Sequence, residues 1–242
     1  MIPLVLWQMR WRVLVLLLVG WAFYLLEPGF HQHEAAAALP AELPAELAPE
    51  GVAFSLANLA GLSMLVLLWG FVSTDRGRGY YRIHFSHPTR PLAYYALRWA
   101  LAYALSVAAA GAFLVAGQLA AWGELRVGAE VMPQALLFAL VYGGLVAFFS
   151  VVLPVGDGLA ALGVFALTEF WYLVTRELGA QPLTPALRSL VGFVLPPHLA
   201  LNDVYAGVVA GALPWDAVAY AAGYGLFWLL LAGALLRFRE WP

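Results

Sequence analysis

The sequence contains no cysteine and no lysine, and only 11% of its 242 residues are charged. The absence of cysteine excludes disulfides, thiolate metal sites and cysteine nucleophiles. The absence of lysine excludes a Walker A loop, which needs a lysine to hold the phosphates of ATP. The scarcity of charge excludes an ordinary soluble domain, in which about 25% of residues are charged. Because 64% of the residues are hydrophobic, we expect lipid to be the main solvent of this chain.

Six mostly apolar stretches, the fifth of them interrupted by Glu169, are long enough to cross a bilayer, for which a helix needs about 20 mostly apolar residues. The predicted spans cover about 13–30, 51–73, 96–122, 131–153, 158–178 and 216–237. We therefore predict an all-α, polytopic membrane protein with six transmembrane helices in one transmembrane domain, residues 1–242. The net charge of −2 is too small to indicate a nucleic-acid partner.

Two further segments are hydrophobic without being regular spans. Residues 182–214 contain five prolines, and their charge-free pieces are too short to cross a bilayer, which predicts short external re-entrant or interfacial helices. Residues 4–12 mix leucine and tryptophan with Arg10 and Arg12. This mixture predicts an interfacial elbow helix before the first span, or else an extension of that span with snorkelling arginines.

The arginines predict the orientation, because basic residues near span ends are retained in the cytoplasm. Nine of the twelve precede span one, lie between spans two and three, or follow span six. By contrast, residues 31–50 after span one contain four glutamates and no arginine. We therefore predict a multi-pass protein of the cytoplasmic (inner) membrane with both termini in the cytoplasm.

The most polar segment is the predicted cytoplasmic loop 74–95, between spans two and three. It contains Asp-x-x-Arg-Gly over residues 75–79 and Ser-x-Pro-x-Arg-Pro-x-x-Tyr over residues 86–94. Between these motifs, residues 80–85 predict a short helix that stops before the prolines. A second helix beginning near Leu92 is expected to continue directly into span three.

This loop resembles that of type-2 ATP-binding-cassette exporter permeases. The resemblance rests on Asp75 and Gly79, on Ser86, Pro88 and Arg90, and on the aromatic Tyr94, and it extends to the layout of elbow, six spans and external helices. His87 between the serine and the proline, and Phe85 in place of an aliphatic residue, depart from the family pattern. The residues that the resemblance assigns to coupling with an ATPase are Asp75, Gly79, Tyr80, Tyr81, Arg82, Phe85, Ser86, Pro88 and Arg90.

The resemblance implies that the segment around Tyr80 to Phe85 is a coupling helix, seated in a groove of a separate ATPase subunit. The chain itself is then no enzyme and binds no cofactor or metal, whereas ATP and magnesium bind to the partner. A second copy or a paralogous permease is expected to complete the pathway. Positive-inside arginines that have no coupling role are the alternative interpretation of the basic loop.

Glu169 lies inside the fifth span beside Tyr172, and an ionisable group at membrane depth is a functional hypothesis in its own right. A pathway or intramembrane polar site is one interpretation, and a structural carboxylate bonded to a neighbouring helix is the other.

His198 and Asn202 share a helix face, as in intramembrane metal-dependent proteases, but the paired glutamates of those enzymes are missing. The remaining alternative is a non-transporting anchor or assembly subunit of a larger complex.

Overall fold

The computed structural model describes residues 2–26, 49–79, 90–177 and 184–238. Within these residues, six helices are long and apolar enough to cross a membrane, which confirms the predicted all-helical, six-span fold. These helices are α1 (Ile2–Leu26), α2 (Pro49–Leu68), α4 (Pro91–Trp122), α5 (Met132–Val152), α6 (Asp157–Tyr172) and α9 (Trp215–Phe238), and the shorter helices are α3 (Ser73–Gly77), α7 (Pro185–Val194) and α8 (His198–Val209). The chain is therefore built as a multi-pass membrane protein.

Helices α2 and α5 form the centre of the bundle. Most of each is buried, whereas α1, α6 and α9 bury only a minor share of their length. The outer helices instead expose large apolar side chains, such as Trp21, Phe170 and Leu230. An apolar exterior of this kind matches the acyl chains of a bilayer, so the sorting of residues fits a lipid solvent.

Glycines allow α5 and α9 to pack at backbone contact. A Cβ atom on Gly225 of α9 would lie 2.9 Å from the backbone carbonyl carbon of Leu140, and one on Gly144 would overlap the carbonyl oxygen of Gly225. Without a hydrophobic force between helices in lipid, close van der Waals packing of small residues is a main source of association. These glycines therefore fix the position of the last span against the central one.

Proline and glycine set the ends of α4, as expected from the sequence. Pro91 occupies the first turn, where its missing N–H costs nothing, and Gly123 follows the last residue with φ of 70°. The helix runs from the end of loop 74–95 into span three without interruption, which confirms the predicted second helix near Leu92. Span three is thus a direct continuation of the loop.

The elbow expected at the N-terminus does not form a separate helix. Helix α1 continues unbroken from Ile2 to Leu26, and Val5 and Met9 are buried against the bundle. No glycine or proline interrupts residues 4–19, and the guanidinium of Arg12 donates to backbone carbonyls of the second span. The structure therefore corresponds to the alternative in which this segment extends the first span.

The described part of the proline-rich segment, residues 184–214, forms short helices, as its prolines predicted. Helix α7 ends before Pro196, and α8 begins directly after Pro197. Before this segment, α6 passes into a π-helical turn at Leu173–Glu177. The loop 31–50 lies mostly outside the described residues. We call the end of the bundle that carries Asp75 the Asp75 end, and the opposite end, which carries α8, the His198 end.

Candidate functional sites

The second span breaks at the Asp75 end, and side chains of other spans bind the freed backbone. Gly70 has φ of 67°, a left-handed conformation that favours glycine, and its amide donates to Asp157 Oδ2 at 3.0 Å. The amides of Val72 and Ser73 both donate to Ser150 Oγ, at 2.7 and 3.1 Å. Buried backbone N–H groups need acceptors. Ser150 of α5 and Asp157 of α6 supply the acceptors that the interrupted helix does not provide.

A buried ion pair joins the two spans on either side of loop 74–95. Arg98 Nη1 lies 3.1 Å from Asp75 Oδ2, and the two side chains are only 5% and 7% exposed. The same oxygen accepts a 3.2 Å hydrogen bond from the Tyr95 hydroxyl, while Arg98 Nη1 also donates to the carbonyl of Phe71 at 2.8 Å. The end of the second span and the start of the third are therefore held together as one unit.

Two further arginines bind backbone carbonyls at this end. Arg12 of α1 donates to two carbonyl groups at the end of α2. Arg76 of α3 donates to the carbonyls of Val151 and Leu153 at the end of α5, at 3.0 and 2.8 Å. Each guanidinium satisfies carbonyls that a helix end leaves without an intrahelical partner. Spans one, two and four thus meet where loop 74–95 joins the bundle, around Asp75 and Arg98, which we call the root of the loop.

The described coupling residues are spread over this root. Asp75 is buried in the ion pair, Gly79 follows α3 with φ of 68°, and Arg90 is the exposed residue that precedes α4. The other predicted coupling residues lie outside the described residues: Tyr80, Tyr81, Arg82, Phe85, Ser86 and Pro88. Their role therefore stays a prediction.

Sequence reasoning missed the partners of the arginines. Arg12, Arg76 and Arg98 were counted only as positive charges that set the orientation, yet each binds a specific acceptor. One signal was available, because Asp75 and Arg98 are opposite charges at the ends of consecutive spans. An acid and a base in those positions are expected to pair when the spans are neighbours.

At the His198 end, α5, α6 and α8 bring polar side chains together inside the bundle. His198 Nε2 lies 2.8 Å from the Tyr142 hydroxyl, and His198 Nδ1 lies 3.2 Å from Glu169 Oε1. The ring of Phe138, 4.8 Å from the imidazole between centroids, covers it. His198 is 4% exposed and Tyr142 is fully buried. The three polar groups form a linear chain of hydroxyl, imidazole and carboxylate.

Asn202, one turn further along α8, ties the same three helices together. Its side-chain carbonyl oxygen accepts a hydrogen bond from Gln134 Nε2 of α5 at 2.8 Å. Its amide group donates to the Tyr172 hydroxyl of α6 at 3.3 Å. The structure thus brings Glu169 and Tyr172, the predicted intramembrane pair, beside the His198 and Asn202 face. Gln134 and Tyr142 had not been singled out from the sequence, since neither is charged.

The imidazole of His198 is held neutral by its surroundings. Burial lowers the pKa of His198 from its ordinary value of 6.5 to about 4, because the charged form loses its hydration. Near pH 7 one ring nitrogen therefore donates and the other accepts. Within the described residues no group of three or more acidic or histidine side chains is placed to hold a metal ion. The protease alternative gains no support from this site.

A cavity of about 150 Å³ adjoins the imidazole. His198 forms part of its wall, together with Thr168, Thr175 and Tyr220, whose hydroxyl groups make the lining partly polar. The aromatic residues Trp171 and Tyr172 complete the side formed by α6. His198 and Tyr142 are therefore buried, the Glu169 side chain is 27% exposed, and the imidazole borders a space large enough for small molecules.

No protein-family model, characterised protein or solved structure matches this chain.

Proposed function

We propose that this chain is the permease subunit of an ATP-binding-cassette exporter. It forms half of a translocation pathway across the cytoplasmic membrane and couples to a separate ATPase through loop 74–95. The loop and both termini face the cytoplasm in this proposal, which follows the distribution of arginines. Because the chain has no lysine and hence no Walker A loop, the partner supplies ATP hydrolysis.

The buried Asp75 and Arg98 pair carries the proposal. A coupling loop works only if a displacement of the loop moves the spans, and a loop with two independent, flexible ends would absorb the displacement. Here the pair links the two ends of the loop to each other. Arg98 Nη1 lies 3.1 Å from Asp75 Oδ2, and both side chains are almost inaccessible to water. A push on the loop is therefore transmitted to spans two and three together.

The contacts around the pair extend this rigid unit. Arg76 binds carbonyls at the end of span four, and Asp157 at the start of span five accepts the amide of Gly70. Packed elements of this kind move as discrete bodies rather than deforming continuously. Movement of the loop is thus expected to move the ends of spans two to five together.

The experiment is co-purification with the ATP-binding-cassette ATPase encoded nearest to this chain, followed by measurement of ATP hydrolysis. We expect the wild-type chain to bind the ATPase and to change its turnover. Phe85→Glu places a charge on the proposed coupling helix and is expected to abolish binding, because a buried charge without a partner weakens an interface strongly. The matched control is Leu125→Glu, an exposed apolar residue beyond the far end of α4.

Asp75→Asn separates coupling from docking, since it weakens the link between the spans and leaves the loop surface intact. We expect binding to be retained and the change in turnover to fall severalfold, with Glu124→Gln as a control for charge loss. The proposal fails if no ATPase of this class binds the wild-type chain, or if Phe85→Glu leaves binding and turnover unchanged. Binding with turnover that no variant alters would instead favour an anchoring subunit.

A further inference from the structure

Glu169 has a buried carboxylate oxygen, Oε1, without a hydrogen-bond partner among the described residues. His198 Nδ1 lies 3.2 Å from this oxygen, but the alignment of the two groups does not make a hydrogen bond. A buried polar atom without a partner needs an explanation. A proton on the carboxyl group supplies one, because it removes the charge from this buried oxygen, and a small rotation of the carboxyl group then directs its O–H to His198 Nδ1.

The imidazole is placed to serve both protonation states of the carboxyl group. When Glu169 is charged, the tautomer with its proton on Nδ1 places an N–H group beside the carboxylate, 3.2 Å between the nitrogen and Oε1, and Nε2 accepts from the Tyr142 hydroxyl. When Glu169 is protonated, Nδ1 accepts and Nε2–H donates to Tyr142, because a phenol hydroxyl can both donate and accept. The 2.8 Å contact between Nε2 and Tyr142 Oη is thus satisfied in either state.

A cavity that can hold water lies beside His198. Its volume of about 150 Å³ has room for about five waters at about 30 Å³ each. The hydroxyl groups of Thr168 and Thr175 donate to carbonyls of their own helix, and Thr168 also hydrogen-bonds the Tyr142 hydroxyl. Water in this cavity would contact the imidazole and these hydroxyl groups, which allows proton exchange at the site.

No described side chain at this end of the bundle supplies a positive charge to the carboxylate. Apart from His198, the titratable side chains described at this end of α8 and of the elements packed around it are acids or phenols, and Arg126, in the loop before α5, pairs with Glu124. The acids and phenols are Glu130, Tyr142, Tyr172, Asp203, Tyr205, Asp216, Tyr220 and Tyr224. A net negative charge at membrane depth is costly, and chains of glutamate and histidine in this setting typically carry protons.

We propose that Glu169, His198 and Tyr142 form a proton-binding site that exchanges one proton with water in the adjoining cavity. The proton passes from a hydronium ion or protonated buffer to the Glu169 carboxylate, where it forms an O–H bond as the donor's bond breaks. The net charge of the site changes from −1 to zero, and nothing is oxidised or reduced. The site does not depend on whether the chain binds an ATPase.

Proton binding affects the contact between α6 and α8. The neutral site places no charge at membrane depth and favours the packed arrangement. Loss of the proton leaves a charge there, which water or movement of α8 stabilises further, since the other polar contact, through Asn202, is already satisfied. The packing of α8 against α6 is therefore expected to respond to pH.

Infrared difference spectroscopy of the purified full chain in lipid tests this inference, because a protonated carboxyl group has its own C=O stretching band. Between about pH 9 and about pH 5, we expect a band that gains intensity as the pH falls and shifts in heavy water. Glu169→Gln should remove this band, whereas the control Glu130→Gln, at the same end of the bundle, should retain it. His198→Asn should keep the band but change its frequency, because the acceptor of the O–H group is replaced.

The inference is overturned if the wild-type chain has no such band or if the band persists in Glu169→Gln. If Glu169→Gln does not fold, as judged by size-exclusion chromatography and circular dichroism, the His198→Asn spectrum decides. A frequency identical to that of the wild type would then overturn the assignment, and a shifted frequency would support it.

Discussion

Asp75→Asn tests how the root of loop 74–95 is held, because it removes one charge of the buried pair with almost no change in shape. The variant leaves the guanidinium of Arg98, which is 5% exposed, without its carboxylate. Breaking a buried ion pair from one side costs about 3–5 kcal/mol, since an uncompensated charge remains in apolar surroundings. We expect Arg98→Met to destabilise the fold by a similar amount, through the stranded carboxylate.

The double variant separates the cost of a stranded charge from the value of the pair. Replacing Asp75 by leucine and Arg98 by methionine removes both charges, and such replacements of buried pairs are often neutral or stabilising. We therefore expect the double variant to lose far less stability than the sum of Asp75→Leu and Arg98→Met measured singly. Tyr95→Phe removes one hydrogen bond to the carboxylate and should cost about 1 kcal/mol.

The free energy of unfolding is measured by titrating a denaturing detergent against the chain in mixed micelles. The control is Glu124→Gln, which breaks the exposed pair with Arg126, whose side chains are 63% and 46% exposed. Exposed pairs contribute about 0–1 kcal/mol, so this variant should unfold almost as the wild type does. The reasoning is refuted if Asp75→Asn costs no more than Glu124→Gln.

Two further predictions concern packing and hydrogen bonding in the centre of the bundle. Gly225→Ala should destabilise the fold by about 1–3 kcal/mol, because its Cβ would lie 2.9 Å from the backbone of Leu140; Gly223→Ala, which has open space, should have no such cost in the same titration. Ser150→Ala removes the acceptor of two buried backbone amides and should cost about 1–3 kcal/mol for each. Ser106→Ala removes only a donor to a carbonyl and should cost about 1 kcal/mol; equal losses in the two serine variants would contradict this account.

The spans were predictable because their signal is local. A charge-free stretch of sufficient length needs no tertiary information, and Pro91 and Gly123 mark the ends of α4 in the sequence itself. The two short helices between α6 and α9 were predictable for the same reason, since the prolines of this segment interrupt any long helix. These features depend on composition and on residues adjacent in the chain.

The polar contacts were harder to predict because they join residues that are distant in the chain. Glu169 was singled out for its depth in the membrane, but nothing in the sequence says that His198 and Tyr142 meet it. The mixture of tryptophan and arginine in residues 4–12 allowed either a separate elbow helix or an extension of the first span. The structure has the extension, because α1 is continuous from Ile2 to Leu26. Arg12 reaches backbone carbonyls of the second span, so its charge does not require a headgroup.

Site-specific crosslinking tests the central claim, that loop 74–95 binds an ATPase, most directly. The chain contains no cysteine, so an introduced cysteine is its sole thiol and a thiol-reactive crosslinker reports on one position. The account predicts that Tyr81→Cys crosslinks to the nearest-encoded ATP-binding-cassette ATPase in membranes, whereas Leu125→Cys, beyond the far end of α4, does not. Crosslinking from Leu125→Cys alone, or from neither position, would contradict the account.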